Sequence, residues 1–334
     1  MDAMNTKHNR SGSPNPAERQ QGVTLIELMV ALVIGSFLII GAVQVYMQSR
    51  SAYIVNENIA RVQENGEFAF DVIEPDLRMA SYWGLLSRPD LVEGRATTAD
   101  PDPLNINPPV GCGADFVTDL LRPIEGANNT TDWPCVGAGN FMPNSDSFVV
   151  RHARITPSAP TAGVIQLETT RLQGQLYSDG AAPGGFVGGG TQTNNLVVNG
   201  YYVSPSSDIF PNVPSLRRRS LATVGGAPVI RDEEVVPGVE NMQVQFGLDM
   251  DGNATVDRYV NPDSPIIDPA SGAFDPEVQV MAVRLWLLVR SVEREPGIAD
   301  NTNYRLADVD LGAFNDDFRR MVKTKTILLR NVRT

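Results

Sequence analysis

The sequence has few of the side chains that hold transition metals or activate nucleophiles. Its 334 residues include two histidines and two cysteines. One histidine, His8, lies in the N-terminal tail, so a structural zinc site of four such ligands is not expected. His152 would have to serve any Ser-His-Asp arrangement, and the sequence has no G-x-S-x-G element. We therefore predict that the chain is not an enzyme and that His152 has a structural or surface role.

Basic residues are also scarce. Lys and Arg total 27 against 39 Asp and Glu, a formal net charge of -12, so a nucleic-acid partner held by a basic surface is not expected. The Gly-rich stretch 185–195 lacks the Lys-Ser/Thr of a phosphate loop. The one basic run, residues 217–219, is typical of a solvated loop or edge strand. Its alternative is a contact with an acidic subunit or with DNA, and the overall acidity weighs against DNA.

One long stretch is almost free of charge. Residues 23–43 include a single ionisable side chain, Glu27, and as a helix they would extend about 31 Å, enough to cross a bilayer core. The run is too long for a cleaved secretory signal, and no A-x-A site follows it. Lys7, Arg10 and Arg19 precede it, which predicts a cytoplasmic N-terminus, one membrane span and export of the remainder.

The sequence at the start of this run is specific. Gly22-Val23-Thr24-Leu25-Ile26-Glu27 resembles the type III signal of type IV pilins and pseudopilins. The resemblance implies that residues 1–22 are a cytoplasmic leader, which a prepilin peptidase removes by cutting after Gly22. The same enzyme would methylate Val23, which stands where the family usually has Phe. Glu27 would become the fifth residue of the mature chain, a position that serves assembly.

Physical reasoning about Glu27 agrees with this role. A carboxylate inside a bilayer costs at least a few kcal/mol, so a partner is expected. Cleavage would create an α-amino group on Val23, one helical turn away, which could neutralise this carboxylate or that of a neighbouring subunit. The alternative is that Glu27 lies at the membrane edge and reaches water.

The fold expected from the pattern and the resemblance is α+β. A helix from about Thr24 to Ala80 would form the spine, with residues 23–45 in the membrane and residues 46–82 amphipathic and packed on the head. Pro75 should kink or break it. Residues 83–334 would form a periplasmic, mainly antiparallel β-sheet head of the pilin type. The predicted strands are 146–151, 163–169, 195–204, 228–232, 241–248, 278–291 and 319–331.

Two further segments resemble the PilW-type minor pilins and the related J-type pseudopilins. They are residues 64–84, ENGEFAFDVIEPDLRMASYWG, where Ser81 stands at a position that is commonly glycine, and residues 319–332, RRMVKTKTILLRNV. The resemblance implies a minor pilin that helps to prime pilus assembly, with a place at the tip. Implied partners are prepilin peptidase, other minor pilins, the major pilin, the inner-membrane assembly machinery and a tip adhesin. The implied location is the inner membrane and then the pilus of a Gram-negative bacterium.

Two alternatives to this function remain open. One is a J-type minor pseudopilin of a type II secretion system. The other, of a different class, is a membrane-anchored periplasmic binding protein or enzyme, which would act through its soluble head and would not need Gly22.

Cys112 and Cys135 are separated by 22 residues. In a reducing compartment they would be unrelated thiols, and in an oxidising one they would form a single disulfide. The export that the resemblance implies favours the disulfide, which would stabilise the head by about 3 kcal/mol.

One loop has the spacing of a cation site, although no cofactor is otherwise expected. Oxygen-bearing side chains alternate over residues 249–257 around Gly252, as Ca²⁺ ligands do. They are Asp249, Asp251, Asn253, Thr255 and Asp257. The loop departs from the EF-hand pattern at Ala254, where glycine is expected, and at Val260, where the final Glu is expected. The alternative interpretation is a hairpin turn without metal.

Overall fold

A computed structural model describes residues 22–96, 106, 108–113, 115–295 and 297–332. The predicted leader therefore lies outside the described residues except for Gly22. The longest element is helix α1, Leu25–Met79, which has 55 residues. Its ends lie within one residue of the predicted ends. The predicted break at Pro75 does not occur, because Ile73 and Leu77 on either side are both fully buried and this packing outweighs the hydrogen bond that proline removes.

The chain divides into two compact units between Tyr53 and Ile54. The first unit holds the beginning of α1. The apolar side chains of this part are exposed all round the helix, from Leu25 at 77% to Phe37 at 70% and Val45 at 67%. Within the described residues, α1 is the one helix that is long and apolar enough to cross a membrane, judged by length and composition.

The second unit holds the rest of α1, a short helix α2 at Asp115–Thr118 and three 3-10 turns at Pro89–Leu91, Val110–Cys112 and Ala138–Asn140. Its strands, in chain order β1 to β14, are Val92–Glu93, Ile124–Ala127, Ser147–Ala153, Gln166–Thr169, Gly174–Tyr177, Gln192–Ser204, Ser215–Val224, Ala227–Pro237, Val239–Asp249, Arg258–Val260, Gln279–Arg290, Asn303–Leu306, Val309–Ala313 and Arg320–Leu328. Each of the seven predicted strands overlaps one of these.

Most described strands form two sheets. The larger runs β1-β5-β4-β6-β3-β2, and β7 pairs with both β6 and β8. All of its pairings are antiparallel except that of β1 with β5. The second sheet is antiparallel in the order β10-β9-β11-β14, and β12 and β13 form a separate hairpin. The predicted α+β architecture, a long helix with a mainly antiparallel sheet head, is confirmed.

The main core lies where the second half of α1 meets both sheets. Phe70, Ile73 and Leu77 of the helix pack with side chains of β3 and β6 from the larger sheet and of β9 and β11 from the smaller one. A second core, on the other side of the larger sheet, contains Trp83 and Cys112. The helix therefore covers one sheet face, and the segment from Cys112 to Cys135, the cysteine-containing excursion, covers the opposite face.

Candidate functional site

The N-terminal site is built at the first turn of α1. Thr24 immediately precedes the helix, and its hydroxyl Oγ1 accepts a hydrogen bond from the backbone N–H of Glu27 at 3.4 Å. This is the T-x-x-E spacing of a helix cap, in which the residue three places after the cap is Glu or Gln. The sequence reasoning treated Glu27 as a membrane charge and missed this local signal, although the spacing was visible.

The cap gives Glu27 a defined place at the positive end of the helix dipole. Carboxylates are stabilised by the free N–H groups of a first turn. Glu27 and its neighbours Val23 and Leu25 are exposed, so the carboxylate is open to a partner from outside the chain. The pairing of Glu27 with a Val23 amine stays a prediction.

A buried polar cluster fixes the other end of α1 to the larger sheet. Asp76 Oδ2 accepts hydrogen bonds from Tyr201 Oη at 2.5 Å and from Asn199 Nδ2 at 2.6 Å. Its Oδ1 lies 3.7 Å from His152 Nε2. Burial opposes ionisation of Asp76, but these polar neighbours outweigh it and hold the pKa of the carboxyl below its ordinary value of 3.8. His152 is buried and acts with this cluster, in agreement with a structural role.

The end of α1 also explains the position at which the PilW-type pattern commonly has glycine. Ser81, two residues after the helix, has a φ of 65°, the left-handed conformation that glycine adopts without steric cost. Ser81 is buried, and its backbone N–H donates to the carbonyl of Arg151 at 3.4 Å. The chain thus keeps the backbone conformation of this turn with a residue that tolerates it less well.

The basic run at residues 217–219 is neither a solvated loop nor an edge strand. It lies in β7 between β6 and β8, and an acidic run on β8 faces it. The register pairs Arg217 with Glu234, Arg218 with Glu233 and Arg219 with Asp232. Sequence reasoning missed this pairing because the two runs are joined by a hairpin whose register depends on the turn at 225–226.

These arginines do not share one environment. Arg217 is largely buried and forms ion pairs with Asp208 at 2.8 Å and Asp232 at 3.1 Å. Arg219 donates to the carbonyl of Cys135 at 2.8 Å. Because side chains alternate along a strand, Arg218 points to the opposite face, where it forms an ion pair with Glu233 at 2.8 Å.

The predicted cation loop brings its carboxylates together. Ligand oxygens of Asp249, Asp251 and Asp257 lie within 4.8 Å of one another. Asp249 is buried, and its two oxygens accept the backbone N–H groups of Gly252 at 2.9 Å and Ala254 at 2.7 Å. Burial opposes its ionisation, but these backbone donors hold the pKa of Asp249 below 3.8.

The other two predicted ligands are paired with each other. The side-chain oxygen of Asn253 accepts both the backbone N–H of Thr255, at 2.8 Å, and the Thr255 hydroxyl. Ala254 adopts a φ of 63°, so it takes the left-handed conformation that an EF-hand loop gives to glycine at this place. The loop is held by its own hydrogen bonds as a hairpin turn, with three carboxylates gathered on it.

The structure joins Cys112 and Cys135 in the disulfide expected for an exported head, with their Cα atoms 4.5 Å apart. Cys112 lies in the second core beside Phe116. Phe116 in turn packs edge-to-face against Trp133, with ring centroids 5.4 Å apart. The bond therefore closes the excursion over the sheet face on which this core lies.

Two segments of the chain match known protein families, one at the N-terminus and one in the head. Residues 18–43 match the prokaryotic N-terminal methylation motif, and this range contains the predicted cut site after Gly22 as well as Thr24 and Glu27. The start of the chain is therefore similar to that of proteins that carry this methylation motif. Residues 200–331 match the family of type IV pilus-assembly protein W, which covers the second half of the head. The predicted resemblance to type IV pilins, most like the PilW type, is confirmed, and that family is one of structural pilus subunits.

No curated protein matches the chain. Among solved structures, a type IV-like pilin from Thermus thermophilus is 18% identical, with a TM-score of 0.28, over 57% of this chain and 81% of that one.

Proposed function

We propose that the chain is a minor pilin that helps to prime assembly of a type IV pilus and takes a place at or near its tip. The observation that supports this most directly is the methylation motif at the start of a helix whose first half exposes apolar side chains on every side. Burying one such side chain, compared with leaving it exposed to water, contributes about 1.5–3 kcal/mol of stabilisation. The helix therefore needs lipid first and other helices later.

The proposed mechanism depends on two groups at the start of α1, the α-amino group of Val23 and the carboxylate of Glu27. Prepilin peptidase removes residues 1–22 at the cytoplasmic face of the inner membrane and methylates Val23. The new amine and Glu27 then lie at the same helix end, where the amine of one subunit can pair with the carboxylate of the next. The head stays in the periplasm until the helix moves from the bilayer into the filament, where its partners are other minor pilins and the major pilin, with a tip adhesin beyond.

The cut site offers a sharp test. We expect Gly22→Ala to accumulate as the unprocessed chain and to abolish any contribution to piliation. Gly35→Ala is the matched control for processing, because an added Cβ at Gly35 meets nothing within 4 Å. A Gly22→Ala chain that still matured and supported pili would refute the proposal and favour a membrane-anchored binding protein or enzyme.

The alternative within the same family is a J-type minor pseudopilin of a type II secretion system. Deletion of the gene distinguishes the two. Loss of surface pili with intact protein secretion supports the minor pilin, and loss of secretion with intact pili supports the pseudopilin.

We also propose that the loop at residues 249–257 binds Ca²⁺. The gathering of three carboxylates within 4.8 Å favours a hard cation, which oxygen ligands suit. Binding would require Asp251 and Asp257, both exposed, to turn toward the ion, and the ion would stiffen the loop. A melting temperature of the full chain that rises with Ca²⁺ and falls with chelator supports this, while an unchanged value refutes it. Asp251→Asn should remove the response.

A further inference from the structure

A cleft of about 390 Å³ opens on the helix-facing side of the larger sheet. Its walls come from β6, β7 and β8, and its polar lining includes Asn199, Arg218, Ser220 and Glu233. Arg154, which follows β3, also lines the cleft. None of these residues takes part in the N-terminal site or in the loop at 249–257.

The charge in this cleft is opposite to that of the chain. Two arginines, Arg154 and Arg218, line the cleft with one carboxylate, Glu233. Arg231 lies directly across from Ser220 in the β7–β8 register, so a third arginine lies on the same sheet face beside the cleft. Glu233 already forms an ion pair with Arg218. The cleft is therefore locally positive on a chain whose formal charge is -12.

Several donors here are not used within the described part of the chain. The guanidinium groups of Arg154 and Arg231 are exposed and have no hydrogen-bond or ion-pair partner among the described residues. Arg218 Nε is buried, and its N–H likewise has no acceptor among the described residues. A buried donor without an acceptor is destabilising, so a ligand acceptor at this place would be stabilising.

A second acidic group near the cleft, Asp76, already accepts hydrogen bonds from other residues of the chain. Asp76 lies behind Asn199 and accepts hydrogen bonds from both Asn199 and Tyr201, with His152 on its other oxygen. These neutral donors leave Asp76 charged, but it forms no ion pair with Arg154, Arg218 or Arg231 among the described residues, and three arginines against Asp76 and Glu233 still leave a net positive charge. The net positive charge of the cleft is thus available to something outside the chain.

We propose that this cleft binds a carboxylate-bearing peptide segment, which, if the proposed function is correct, a neighbouring pilus subunit supplies. Guanidinium groups and a hydroxyl match carboxylate oxygens in charge and hydrogen bonding. A continuous polyphosphate backbone fits less well, because Glu233 lies inside the cleft and the surrounding chain is acidic. An acidic peptide places one or two carboxylates in a small cleft without bringing a long run of negative charge against the head.

The test uses the purified full chain in nonionic detergent at low ionic strength. Binding of a capped tetraglutamate peptide is measured by calorimetry beside tetraglutamine, inorganic phosphate and a short oligothymidine. Arg154→Gln and Arg231→Gln should each weaken tetraglutamate binding about fivefold. The matched control is Arg305→Gln, which removes the same charge from an exposed position on the separate β12–β13 hairpin and should change it less than about twofold.

The outcomes separate clearly. Tetraglutamate binding that the two cleft variants weaken, with tetraglutamine and phosphate much weaker, supports the proposal. No binding, equal weakening by Arg305→Gln, or tighter binding of oligothymidine overturns it, the last in favour of a nucleic-acid site. Binding in detergent does not depend on cleavage at Gly22, so a failure of the proposed function would appear in processing and piliation while this result stood.

Discussion

The polar cluster around Asp76 should be a main source of head stability, and Asp76→Ala tests this. The change leaves the buried Tyr201 hydroxyl and Asn199 amide without their shared acceptor. Each lost hydrogen bond to a charged group costs about 1.5–3 kcal/mol. Two considerations reduce the total: Tyr201 Oη also lies 3.4 Å from the carbonyl of Val72, and a carboxylate near a helix C-terminus is itself disfavoured. We expect a loss of about 2–4 kcal/mol.

The assay is thermal unfolding of the full chain followed by circular dichroism. For a unit of this size, 2–4 kcal/mol corresponds to a fall in melting temperature of roughly 3–7 °C. Asp71→Ala is the matched control, since Asp71 is exposed on the same helix and should change stability by less than about 0.5 kcal/mol. Asp76→Asn should be intermediate, because it keeps one oxygen acceptor.

The same cluster has a pH dependence of known sign. The folded-state pKa of Asp76 lies below its ordinary value of 3.8, so its contribution to stability is complete above 3.8 and is lost as the pH falls through the folded-state value. The difference between the native chain and Asp76→Ala should therefore be constant around neutral pH and shrink in strong acid. Equal melting temperatures for Asp76→Ala and Asp71→Ala at neutral pH would refute the assigned role of the cluster.

Three further predictions concern separate features. Ser81→Gly should raise the free energy of unfolding by about 0.5–1 kcal/mol in a denaturant titration, because glycine removes the strain of the left-handed φ; a loss of stability would contradict this. Replacing Cys112 and Cys135 together by Ala should lower stability by about 3 kcal/mol, and dithiothreitol should then lower the melting temperature of the native chain but not that of the variant. Glu27→Ala should still be processed, as seen by immunoblot, but should be missing from sheared pili; normal incorporation would refute the assembly role.

Much of this architecture could be predicted from local patterns. The limits of α1 follow from an apolar run that continues into a helically spaced amphipathic segment, and the alternating strands follow from period-two burial. Pro75 is an exception, because the local preference of proline for breaking a helix is outweighed by packing. Ile73 and Leu77, on either side of it, are buried and stabilise the helix there.

The parts that were not predicted depend on pairing across the fold. Residues 217–219 look solvent-facing in isolation, and only the β7–β8 register shows that Asp232, Glu233 and Glu234 oppose them. The contact of Asp76 with Tyr201 likewise joins residues 125 positions apart. The cap at Thr24 is different, since its T-x-x-E spacing is local and could have been predicted from the sequence.

The most direct measurement of the central claim is mass spectrometry of the mature N-terminus of the chain isolated from its native host. The account predicts a protein that begins at Val23, with one methyl group on its α-amine and with residues 1–22 absent. An intact Met1, or a first residue other than Val23, would contradict it.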